Sequence, residues 1–258
     1  MALLKVLLLL GLGASMNSHV SLQKRIIGGH DCDDKEHLYH VRLEGDNGTH
    51  TSVCGGSLIH PEWILTAAHC WKSDQGWTNI VKLGVHPRTA QQVKQIIRNN
   101  PVIYVDQRHL EPDIMLLKLQ RPVRNIHPAR LPRCNNRLKI GATVQLAGEG
   151  GMTTGPSNRR LLSASVPPHL QCVDMKVIAL YFMPPHGHVF FIEAPNKDSC
   201  LVSLSLQVTG GGVIYTTKIY GVISEIGEDH ACRTPALIVD VCEYMLWIRK
   251  TIRVNTQP

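Results

Sequence analysis

The chain has 258 residues, 43% of them hydrophobic, and a formal charge of +7. That length and apolar content can bury a full core without a metal or a partner to complete it, which excludes disordered chains and metal-nucleated mini-domains. Nucleic acid is also excluded as the expected partner: the first 25 residues hold Lys5, Lys24 and Arg25 and no acid, their removal takes +7 to +4, and the remaining cations are scattered.

The opening MALLKVLLLLGLGAS has one early Lys and then an apolar run too short to span a bilayer. It reads as a secretory signal peptide over residues 1–20, with a signal anchor as the alternative. No later stretch is apolar enough for a membrane helix, so a secreted protein is expected, extracellular or held in a granule. Eight cysteines without a CxxC pair then imply disulfides rather than a zinc site. Asn47-Gly-Thr49 is a glycosylation sequon in a polar, turn-like stretch.

The runs HVRLEG, SLIHPEWIL, IVKLGV, IMLLKL, TVQLAG, YGVIS and ALIVDV follow in order. They are short, rich in β-branched or aliphatic residues, and separated by Gly, Pro, Asn and Asp, which predicts an all-β barrel or sandwich. The closing CEYMLWIRKTI is different. Tyr244, Trp247, Ile248 and Ile252 recur at helical spacing, which predicts one C-terminal helix.

Four segments in order go further. KRIIGGH at 24–30, CGGSLIHPEWILTAAHC at 54–70, DIMLLKL at 113–119, and DSC at 198–200 followed by YGVIS and VCEYMLWI resemble the trypsin-like serine protease family. The resemblance covers residues 26–253, after a five-residue propeptide at 21–25 and before a tail at 254–258. It implies two packed six-stranded antiparallel β-barrels with a C-terminal α-helix and a cleft between the barrels. It also implies activation by cleavage between Arg25 and Ile26, with His69 as the catalytic base and Asp113 as the carboxylate that fixes its tautomer. Acyl transfer needs both, because a hydroxyl is a poor nucleophile at neutral pH until an imidazole takes its proton.

The loop that should carry the nucleophile departs from the family's Gly-Asp-Ser-Gly-Gly-Pro. Counting forward from Cys200 puts Leu204 at the serine. Counting back from GVISE makes Gly210–Gly211 the trailing glycines, with Thr209 at the nucleophile, Val208 at the aspartate and five residues inserted. The second alignment is preferred, since only Gly satisfies such a turn cheaply. Neither retains Gly-Asp-Ser, and Val202 to Val208 alternate like a strand.

The resemblance puts Asp198 at the floor of a substrate pocket selecting Arg or Lys, and Ser224 on its wall. Ile226 and Ala236 stand where glycines leave room, so a narrowed pocket is expected. It implies disulfides Cys54–Cys70, Cys134–Cys242 and Cys200–Cys232. A further family disulfide is replaced at both ends, by Val144 and Tyr215. Cys32 and Cys172 are expected to lack their usual partners, with Leu161 standing where the partner of Cys32 would be; bonding to each other or to another chain stays open. His186 and His188 are read as loop residues, with no metal site and no cofactor expected. The reading is a secreted protease homologue without peptidase activity, binding a protein partner such as an inhibitor, a protease or a cell surface. The alternative is a weak serine-type endopeptidase cleaving after Arg or Lys with Thr209 as nucleophile.

Overall fold

Two antiparallel sheets, each curling around its own apolar core, account for most of the residues described by the computed structural model, which are 29–149, 169–193, 209–225 and 235–254. A two-residue strand β1 (His30–Asp31) precedes the first sheet, which is built from β2 (His40–Asp46), β3 (Thr51–His60), β4 (Trp63–Thr66), β5 (Thr78–Leu83), β6 (Val93–Ile96), β7 (Val102–Ile103) and β8 (Met115–Lys118), in the order β6-β5-β2-β3-β4-β8-β7. Leu43, Leu58, Trp63, Ile64, Leu65 and Leu116 are almost wholly buried inside it.

The second sheet comprises β9 (Thr143–Gly148), β10 (Gln171–Met183), β11 (Gly187–Glu193), β12 (Gly212–Tyr215), β13 (Lys218–Glu225) and β14 (Ala236–Asp240). Its order is β1-β10-β11-β14-β13-β12-β9, and β9 also pairs with β10, so six strands close into a barrel. Closure removes the exposed edges that an open sheet leaves unpaired. Val144, Leu146, Val173, Met175, Phe190 and Ile238 fill its interior. The final helix α1 (Val241–Val254) turns Tyr244, Met245 and Ile248 into the first core, as their spacing predicts.

Three expectations change. The run SLIHPEWIL is not one strand but a hairpin: β3 ends at His60, the chain turns at Pro61–Glu62, and His60 pairs with Trp63. Proline has no N–H for the ladder, which explains the break there. The hairpin of β10 and β11, paired from Lys176↔Glu193 to Met183↔Gly187, lies outside the predicted runs. Finally, Cys32 and Cys172 are bonded to each other, with sulfurs 2.03 Å and Cα atoms 5.0 Å apart. β1 pairs with β10 at His30↔Cys172, and the Cys32 N–H donates to the Leu170 carbonyl at 2.8 Å. This ladder brings the two Cα atoms within disulfide reach, so neither cysteine is an orphan available for another chain.

Candidate active site

The first barrel supplies two polar groups at its rim. β4 runs into a short 3-10 turn, Ala68–Cys70, that carries His69, and Asp113 sits two residues before β8. β4 and β8 are hydrogen-bonded neighbours, so the two residues arrive side by side. Asp113 Oδ2 is 2.7 Å from His69 Nδ1, and Asp113 Oδ1 accepts from the His69 backbone N–H at 2.8 Å. From the second barrel, the Ser224 hydroxyl donates to Asp113 Oδ2 at 2.5 Å. Burial pushes the Asp113 carboxyl up, but the hydrogen bonds from His69 and Ser224 outweigh it and hold the group below the ordinary carboxylate range. An ionised Asp113 accepting from Nδ1–H leaves Nε2 as the basic nitrogen, the tautomer that general-base catalysis needs.

Ser224 thus has a role the sequence did not suggest: it buttresses the carboxylate instead of merely lining a pocket. Its neighbours in YGVIS are apolar, so no pattern in the sequence singles it out.

Thr209 is clamped between the barrels. Its carbonyl accepts from the Gly55 N–H at 2.8 Å, the Gly210 N–H donates to the Ile223 carbonyl at 2.7 Å, and the Ile223 N–H donates to the Gly211 carbonyl at 2.9 Å. Gly210 has φ +83°, and a Cβ there would run into Thr66 Oγ1 and the Gly55 carbonyl. Only glycine fits both constraints. Thr209 and His69 then pack on one disulfide: Thr209 Oγ1 lies 3.6 Å from Cys54 Sγ, and His69 Nε2 lies 3.6 Å from Cys70 Sγ. Thr209 is 4% exposed, whereas the His69 side chain is 43% exposed.

Ala236 is buried at the start of β14. Cys134 is bonded to Cys242. Asn47 sits in the turn between β2 and β3, where its Oδ1 accepts from the N–H groups of Thr49 and His50. His186 lies in the turn of the β10–β11 hairpin, as expected. His188 is the second residue of β11 and not a loop residue, because its backbone pairs with Phe182, and its ring is 4.9 Å from that of Phe182. Arg25, Ile26, Leu161, Asp198, Cys200, Leu204, Ile226 and Cys232 lie outside the described residues, as does the alternating stretch 202–208. Among the described residues, the two groupings of histidine with cysteines involve sulfurs already in disulfides, and no helix is long and apolar enough to cross a membrane.

The family model for trypsin matches residues 26–248. Trypsin-3 of Homo sapiens is 31% identical over 253 residues, covering 90% of this chain and 74% of the relative. Serine protease 1 of Homo sapiens is 29% identical over 265 residues, covering 97% and 99%. The solved structure of GrC superposes with a TM-score of 0.70 at 24% identity, over 88% of this chain and all of that one, a likeness of fold. The expectation that the chain lacks peptidase activity does not stand: its relatives bear the names of proteases, and nothing among the described residues establishes a loss of activity. By the match over residues 26–248, and by relatives that span nine-tenths or more of its length, the chain belongs to the trypsin family.

Proposed function

We propose that the chain is a secreted endopeptidase of the trypsin family in which Thr209 is the nucleophile, His69 the general base and acid, and Asp113 the group that orients His69. The observation that carries this reading is the shared disulfide: Thr209 Oγ1 and His69 Nε2 touch its two sulfurs, while Asp113 holds the far side of the imidazole. In the first step Thr209 Oγ1 bonds to the scissile carbonyl carbon as its proton passes to His69 Nε2. The tetrahedral oxyanion collapses, the C–N bond breaks, and His69 gives the proton to the leaving amine. Water then attacks the acyl ester, His69 takes its proton and returns one to Thr209 Oγ1, and the acid product leaves.

Attack by threonine is slowed by its extra methyl group, and the buried Oγ1 must leave its contact with Cys54 to reach substrate. Turnover below that of a serine nucleophile is therefore expected. Cleavage after Arg25, glycosylation at Asn47, and selection of Arg or Lys by Asp198 belong to the same reading, supported by the family's motifs in this sequence. A fluorophosphonate probe and fluorogenic Arg and Lys peptides test it on the glycosylated, secreted protein after cleavage at Arg25. Labelling and turnover that vanish in both Thr209→Ala and His69→Ala are expected. Secreted, correctly cleaved protein that neither labels nor turns over above those variants would end the proposal.

A further inference from the structure

Between β9, β12 and the segment Glu36–Tyr39 lies an open cavity of about 360 Å³, at the small end of the range of roughly 300–1,000 Å³ typical of small-molecule sites. It uses none of the groups placed at the candidate active site. Ile214 gives it an apolar floor, and Thr216 and Thr217 form part of its rim. β12 pairs with β9 at Ile214↔Gln145, one step from Val144 and Tyr215. The cavity therefore sits where this sequence replaces both ends of a family disulfide with apolar residues.

Its polar wall is a single directed chain. The Tyr39 hydroxyl lies 3.2 Å from His37 Nδ1, His37 Nε2 lies 2.8 Å from Gln145 Oε1, and Gln145 Nε2 donates to Asp174 Oδ1 at 3.2 Å. Because Gln145 Oε1 can only accept, His37 must donate from Nε2 and accept from Tyr39 at Nδ1. Burial depresses the proton affinity of His37, with the bond to Gln145 offsetting it in part, so the imidazole is neutral near pH 7. The last member of the relay is the exposed carboxylate Asp174. A second exposed carboxylate, Glu36, also lines the cavity, and among the described residues no Lys or Arg does. In a chain of net positive charge, this concavity carries two negative charges over an apolar floor.

Thr216 and Thr217 form the two-residue turn that joins β12 to β13, and their φ of 47° and 66° are the left-handed values such a hairpin turn requires.

We propose that this cavity is a binding site for a small organic cation, a protonated amine or guanidinium on an apolar body, held by Glu36 and Asp174 with its body over Ile214. The neutral His37 relay keeps Gln145 fixed and Asp174 aimed without contributing a competing positive charge.

Phenethylamine and its neutral isostere 2-phenylethanol, titrated calorimetrically into the full secreted chain, test the site. Saturable binding of the amine is expected, at least about tenfold tighter than the alcohol. The double variant Glu36→Gln/Asp174→Asn should weaken the amine about tenfold, a change of about 1.4 kcal/mol, and leave the alcohol unchanged. Ile214→Ala should remove the floor and weaken both ligands alike. Because Ile214 is buried, its variant is read only alongside an unchanged unfolding midpoint; the double carboxylate variant, on the surface, carries the test if it unfolds. Asp198→Asn should have no effect. Equal affinity for amine and alcohol, no saturable binding, or loss of binding with Asp198→Asn while the carboxylate variant binds normally would each overturn the assignment. None of these readouts depends on peptidase activity.

Discussion

Two histidines in this molecule each sit in a hydrogen-bonded chain that ends on an aspartate, and they are built for opposite ends. His69 touches its carboxylate directly, at 2.7 Å, and keeps 43% of its side chain open to solvent. His37 is 7% exposed and reaches Asp174 only through the amide of Gln145. A carboxylate in contact stabilises an imidazolium that forms during a reaction. An intervening amide does not, and burial then penalises the charged ring. The first arrangement suits a ring that takes up and gives back a proton; the second suits a fixed scaffold.

The largest expected effect breaks the first chain. Asp113→Asn replaces an obligate acceptor with a group that can donate, so His69 can be held in the wrong tautomer with its backbone contacts intact. Peptide turnover should drop by about 10⁴-fold, with the unfolding midpoint nearly unchanged. Variant turnover within tenfold of the parent would show that the 2.7 Å contact has no part in catalysis.

Next in size is the staple beside the second chain. Cys32–Cys172 closes a sequence separation of 140 residues and ties β1 to the closed barrel. Replacing both cysteines with Ala should cost roughly 2–5 kcal/mol in chemical unfolding. The His37 relay lies beyond Cys32 in the same entering segment, so its protection from hydrogen exchange should fall as well. His69 and Asp113, anchored on β4 and β8, should keep theirs.

Ser224→Ala separates support from chemistry. It removes a hydrogen bond to a charged group, worth about 1.5–3 kcal/mol, without touching His69. Stability should fall by about that amount. The Asp113 carboxyl should titrate at higher pH, because one of the bonds that hold it down is gone. Turnover should fall far less than in Asp113→Asn; equal losses would make Ser224 part of the catalytic unit.

These contrasts also show what the sequence could convey. The β2, β5, β9 and β14 segments, the helix, and the pair His69 and Asp113 were all readable, because each lies in a short stretch with a strong period or a dense local motif. The pairing of Cys32 with Cys172 was not. It depends on a two-residue strand meeting β10 across 140 residues, and the intervening segment aligned Leu161 to the partner position. The β10–β11 hairpin was hidden by the continuous apolar run Val177 to Met183, which lacks the alternation that marks a half-buried strand and that Val173 to Val177 show. The role of Ser224 depends on the two barrels meeting, and the Tyr39–His37–Gln145–Asp174 chain joins three segments that no local pattern links. Local order was legible, and a long-range contact only where a family motif carried it, as for Cys134–Cys242 and His69–Asp113.

The smallest effect concerns acid. Burial depresses His37, and burial with the neighbouring His37, His86, Arg42 and Arg88 pushes His40 down to about 3. A histidine that loses proton affinity on folding makes the unfolded chain the better proton acceptor. Its stabilisation is therefore full above about pH 6.5, the ordinary value, and is lost as pH falls toward the folded value. Glu149 acts in the other direction: burial raises it despite Arg42 and Arg88, so the native state takes up its proton early and offsets part of the loss below that range. Asp240, raised by burial against Arg137, does the same. The decline should thus begin near pH 6.5 and steepen over the next unit below it, approaching about 1.4 kcal/mol per pH unit for His40. Urea unfolding at pH 7.5 and 5.5 reads it directly. The difference between the two pH values should shrink in His40→Gln whatever that variant's absolute stability, and shrink further with His37→Gln added. If the parent and both variants lose stability in parallel, the buried imidazoles are not what makes the second chain rigid, and the contrast with His69 reduces to exposure alone.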